Sequence, residues 1–163
     1  MIATMSEPEL IATIFFLPVL IATGYSDLRN MRIPNMLSLI GLAIFACTLL
    51  LIGFDEWLMR ACVGASCFAI CFALFAVGWL GGGDAKILPV TILFVPVRFL
   101  EIYLLSFAVA MLLGMVAIWL ARHLYSHPQA LWVSMQPGAA FPMGISIATS
   151  LPLALLVILY VFS

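Results

Sequence analysis

Six apolar runs, five of 17 to 23 residues and one of 11, are separated by short gaps in which charges, prolines and glycines collect. The runs are Leu10 to Ser26, Met36 to Phe54, Leu58 to Leu80, Ile87 to Val97, Ile102 to Ala121 and Met143 to Phe162. A helix needs roughly 20 apolar residues to cross a hydrocarbon core of about 30 Å. The pattern therefore predicts an all-α, polytopic transmembrane helix bundle of about six segments, a single membrane-embedded unit over residues 1–163. The fourth run would reach only about 16 Å as a helix. It is expected either to make a short crossing or to re-enter among its neighbours, because lipid leaves no partner for irregular backbone. Composition agrees: the chain is 66% hydrophobic and only 8% charged, with mean hydropathy +1.29, whereas soluble domains average about a quarter charged.

Six Lys and Arg against seven Asp and Glu give a net charge of -1, with no basic tract, so nucleic acid is not an expected partner and the lipid bilayer is. Glu7 and Glu9 occupy the first ten residues without a Lys or Arg, the reverse of a secretory signal's basic start, so the first run is expected to be a retained span. Cytoplasmic loops hold the excess of basic residues. With six crossings and an outside N-terminus, Arg29, Arg32, Lys86 and Arg122 are cytoplasmic and only Arg60 and Arg98 lie opposite.

Under that topology Asp27 ends the first segment and Asp84 ends the third, and two crossings return them to the same face. Glu7, Glu9, Asp55, Glu56 and Glu101 all fall on the other side. Parity thus pairs Asp27 with Asp84 even if the whole orientation is inverted. An ionisable residue at the edge of the hydrocarbon core costs a few kcal/mol or more and marks function by default. Two carboxylates a few ångströms apart cannot both ionise comfortably and share a proton, so one can activate water while the other polarises a carbonyl. Gly81, Gly82 and Gly83 precede Asp84, and residues without a Cβ let a substrate backbone approach the acid.

The string Gly81-Gly82-Gly83-Asp84-Ala85-Lys86 resembles the Gly-x-Gly-Asp motif of intramembrane aspartic proteases, and specifically that of the prepilin (type IV leader) peptidases. Asp27-Leu28-Arg29-Asn30-Met31-Arg32-Ile33-Pro34-Asn35 is similar to that family's first-aspartate segment. Phe141-Pro142-Met143-Gly144 resembles its third, Pro-x-Gly segment, with Met143 in place of the usual aromatic. The resemblance implies a membrane endopeptidase that removes a short basic leader from prepilins or pseudopilins, on the cytoplasmic side of a bacterial inner membrane and after a glycine. It implies Asp27 and Asp84 as the catalytic pair, Gly81, Gly82, Gly83, Lys86, Pro142 and Gly144 as substrate-lining residues, and no cofactor or metal. Larger relatives add two Cys-x-x-Cys pairs and an N-methyltransferase activity. Cys47, Cys62, Cys67 and Cys71 contain no such spacing, so the chain looks like the compact peptidases of Flp or tight-adherence pili.

Other readings stand beside this one. Asp84 can face water or pair with Lys86, and Asp27 can be a loop acid neutralised by Arg29. Lys86 can also tune the pair, because a nearby cation favours a carboxylate's ionised form. Pro142 and Gly144 fit a helix start as well as a substrate-lining turn. Cys67 and Cys71 fit packing better than ligation. His123 and His127 have a helix-face spacing, yet Pro128 follows at once, which favours solvated loop residues. Paired membrane carboxylates also suit a proton- or ion-coupled transporter, and a noncatalytic membrane scaffold is the third class.

Overall fold

The computed structural model describes residues 5–125, 132–136 and 138–162. These form six α-helices: α1 (Glu7–Asn30), α2 (Asn35–Ile52), α3 (Phe54–Ala76), α4 (Asp84–Leu93), α5 (Leu100–Tyr125) and α6 (Met143–Phe162). Five of the helices are long and apolar enough to cross a membrane, and α4 is not among them. The all-α polytopic bundle expected from the apolar runs is the observed architecture.

The boundaries differ from the apolar runs in instructive ways. Helix α3 begins at Phe54 and ends at Ala76, four residues early at both ends. Asp55 and Glu56, placed in a gap by their polarity, lie in its first turn, where the helix dipole favours acids. The single residue Gly53, at φ +81°, makes the turn from α2. At the other end the chain turns at Gly78 (φ +79°). Asp84 therefore does not end the third segment; it is the first residue of α4. Likewise Asp27 lies inside α1, which runs on to Asn30.

Helix α4 is almost entirely buried and forms the centre of the bundle. Ten residues at 1.5 Å each reach only about 15 Å. Its course nevertheless follows from what it touches. It starts at Asp84 beside the C-terminal end of α1, Phe94 stacks on Phe16 at 4.1 Å, and Arg98 pairs with Glu9 in the first turn of α1. The eighteen residues between Glu9 and Asp27 rise about 27 Å. Residues 84–98 run antiparallel to α1 over that distance, because the stretch after Leu93 leaves the helix and gains more length per residue. The fourth segment therefore traverses the interior and does not turn back.

Three buried threonine hydroxyls return to backbone carbonyls: Thr13 to Glu9 at 2.8 Å, Thr23 to Val19 at 2.8 Å and Thr91 to Ile87 at 2.9 Å. Each satisfies its own donor one turn back, which keeps these side chains compatible with an apolar interior. Phe45 stacks on Trp57 at 5.2 Å, and the Trp57 indole donates to the Phe45 carbonyl at 3.1 Å, fastening α3 to α2.

Candidate active site

Helix α1 stops just after Asp27 by a left-handed turn: Met31, at φ 52°, donates its N–H to the Asp27 carbonyl at 2.8 Å. A non-glycine residue in that region is uncommon. The Ser26 hydroxyl holds the turn by donating to the Arg32 carbonyl at 2.8 Å, and Pro34 then opens α2. This fold-back carries Ile33 to the glycine run. A Cβ on Gly83 would fall 2.9 Å from the Cβ of Ile33, so the Asp27 and Asp84 segments pack directly on each other.

The third segment closes on the same place. The backbone N–H of Gly144, in the first turn of α6, donates to Asp27 Oδ2 at 2.7 Å. A Cβ at Gly144 would lie 2.8 Å from Asp27 Cβ and 2.9 Å from Oδ2, so only glycine lets α6 come this close. Pro142 is buried beside it. Arg122, in the last turn of α5, secures the approach by donating to the carbonyls of Ser134 at 2.8 Å and Ala140 at 2.7 Å. By sequence this arginine reads only as a topology residue; its hold on Ser134 and Ala140 depends on a fold in which α5 ends beside both.

Asp27 is 6% exposed. Arg29, the cation expected to neutralise it, donates instead to the Tyr25 hydroxyl at 2.8 Å. The Lys86 ammonium donates to Asn35 Oδ1 at 2.8 Å, joining α4 to α2. Among the described residues neither aspartate has an ion-pair partner. Asp84 Oδ1 is buried without a hydrogen-bond partner there, and Gly81 crowds the other oxygen: a Cβ would sit 2.6 Å from Oδ2. Asp84 lies outside the five long helices. Burial pushes its carboxyl above the usual range, and the nearby Asp27 charge pushes it further, to about 6. Gly82 packs against the Phe75 ring.

The remaining chemistry-bearing residues lie elsewhere. His123 stacks on Trp119 at 5.8 Å in the last turns of α5, and His127 falls outside the described residues. Cys67 and Cys71 lie one turn apart on α3, sulfurs 3.9 Å apart. Glu9, on the opposite face by parity, accepts from Arg60 at 2.6 Å and from Arg98, while Arg60 also reaches Glu56 at 2.9 Å.

Fold and site define a multi-pass helical membrane protein with two carboxylates, neither ion-paired among the described residues, drawn together at one end of the bundle. The type IV leader peptidase family model matches residues 14–121, more than half of the 163 residues, and the chain belongs to that family. It is thus a protease of the leader-peptidase kind. The match takes in both aspartate segments and ends before Gly144. Neither the curated proteins nor the solved structures yield a match.

Proposed function

We propose that the chain is an aspartic endopeptidase that removes the short basic leader of prepilin-like proteins, cutting after a glycine at the cytoplasmic face of a bacterial inner membrane. The observation that carries this reading is the meeting of Asp27 and Asp84 from separate segments without a cation on either among the described residues. In a structural ion pair the charge would be compensated; here the pair must share a proton. Asp27 Oδ2 accepts the Gly144 N–H, an acceptor role that suits the ionised partner. Asp84, with a buried oxygen that has no hydrogen-bond partner among the described residues, keeps the proton and polarises the scissile carbonyl while Asp27 takes a proton from the attacking water. The two acids titrate as a unit.

The reading extends to the compact Flp or tight-adherence subtype, whose peptidases the sequence resembles. The transporter alternative draws on the same carboxylates, but membership of a peptidase family favours hydrolysis. The test is to reconstitute the purified protein in vesicles with prepilin-like substrates and to sequence the products by mass spectrometry. A new N-terminus immediately after a leader glycine is expected. Intact substrate under all conditions, alongside acid-dependent proton flux, would overturn the reading in favour of transport.

A further inference from the structure

A cavity of about 730 Å³ lies between α2 and α3 with α4 as its floor. It runs along α2 from Asn35 to Ala46 and along α3 from Trp57 to Phe68. Eleven residues of rise on each helix make it about 16 Å long, three helical turns. Its walls are apolar except at one end, where Asn35, Ser38 and Lys86 gather. That end adjoins the candidate active site, since Lys86 follows Asp84 by two residues on α4.

We infer that this groove seats the apolar helix of the substrate, with the helix's N-terminal turn at Ser38 and Asn35 and the scissile bond just beyond, at Asp84. The inference rests on the peptidase reading for the identity of the substrate. Four observations carry it. The Ser38 hydroxyl is buried, its residue only 7% exposed, yet has no hydrogen-bond partner among the described residues. The first turn of any helix presents four backbone N–H groups without intrahelical partners, and inside a membrane each needs an acceptor. Lys86 has no carboxylate partner among the described residues, so its ammonium is available to the unpaired carbonyls of the extended residues around the cut. Finally, Ala46, Ala61 and Ala65 line the walls, and small side chains admit a second helix backbone closely. An acyl chain would need neither those small residues nor a polar end beside the acids.

The test measures binding apart from cleavage. The probe is a synthetic peptide with a short lysine-containing leader ending in glycine, followed by a Leu/Ala helix of roughly 20 residues. It is titrated by fluorescence against the full chain carrying Asp84→Asn in phosphatidylethanolamine/phosphatidylglycerol vesicles. On this background Ala46→Trp and Ala65→Trp, both at exposed positions, fill the groove and are expected to weaken binding about tenfold or more. Ile70→Trp, on an exposed part of α3 outside the groove, leaves it unchanged. Ser38→Ala removes a hydroxyl that has no hydrogen-bond partner among the described residues, so a loss of about fivefold reads a substrate contact and not a folding defect; Ser38→Thr restores it. Unchanged binding in the tryptophan variants overturns the inference, as does displacement by tryptophan of a spin-labelled lipid only, or crosslinking of the groove to a second copy of the chain. If this pattern holds but wild type removes no leader, the peptidase reading fails and the groove stands; normal leader removal with a filled groove has the opposite meaning.

Discussion

The two ends of the bundle treat buried carboxylates in opposite ways. At one end Glu9, 3% exposed, is held by Arg60 and Arg98 and by the Ser6 N–H at 2.7 Å. At the other, Asp27 has one backbone N–H and Asp84 has an oxygen with no partner among the described residues. A buried acid that is fully compensated locks elements together; here it ties α1 to α3 and to the connection between α4 and α5. A buried acid left uncompensated retains proton affinity and free lone pairs, which are the requirements of acid-base chemistry. The contrast separates architecture from chemistry within one chain whose charges are otherwise few.

The sharpest way to break the contrast is to neutralise each end in turn. Asp27→Asn and Asp84→Asn are each expected to lower leader cleavage roughly a thousandfold while the protein still inserts and folds. Processing of a cognate prepilin at the normal rate by either variant would remove that residue from the chemistry. Glu9→Ala should act oppositely, leaving Arg60, only 2% exposed, with only the partly exposed Glu56 of its two carboxylate partners. A loss of about 3–5 kcal/mol in stability is expected, read as a lower unfolding midpoint in detergent, with the cleavage rate of the remaining folded protein little changed. A stability loss from the aspartate variants as large as that from Glu9→Ala would erase the distinction.

Gly144→Ala probes how the uncompensated end is held. The added Cβ must displace the Asp27 side chain that it would meet at 2.8 Å. A misplacement of that order is expected to cost about a hundredfold in kcat, with KM moving far less. An equal fall in kcat/KM through KM alone would show that Gly144 lines the substrate and does not position the acid.

The smallest effect tests the coupling of the two acids. Burial and the Asp27 charge both raise Asp84, to about 6, so Asp84 holds its proton below that pH and loses it as pH rises through it. Removing the like charge with Asp27→Asn lets Asp84 ionise more easily, so its titration should move to lower pH, followed by carboxyl infrared bands. The sign for stability is equally determined. A carboxyl raised by folding binds its proton more tightly in the folded state, so the protein loses stability as pH rises from the ordinary aspartate range through about 6. An unmoved titration in Asp27→Asn would show that the two carboxylates do not sense each other.

Much of the architecture was legible because a bilayer enforces a simple length rule: the sixth helix, Met143–Phe162, has the boundaries of its apolar run. Helix ends were less legible. Asp55 and Glu56 read as loop by polarity but lie in the first turn of α3, and the tight turn at Gly53 leaves no gap. The aspartate pair was legible by parity and by its flanking strings. The partners of the nearby cations were not. Arg29 on Tyr25 is a pair four apart within α1, but Lys86 on Asn35 and Arg122 on two carbonyls join residues by geometry that local spacing does not encode.

Sequence alone determined that this chain is a membrane helix bundle and that Asp27 and Asp84 share one end, because hydropathy sets the crossings and counting crossings sets the face. Only the tertiary structure decided what surrounds the pair. The fold-back at Met31 brings Ile33 onto Gly83, α6 sets the Gly144 N–H on Asp27, and residues 84–98 traverse the interior despite a ten-residue helix. The physical reason is that crossings are local, one helix against the bilayer, whereas the compensation of a charge depends on which distant segments reach it.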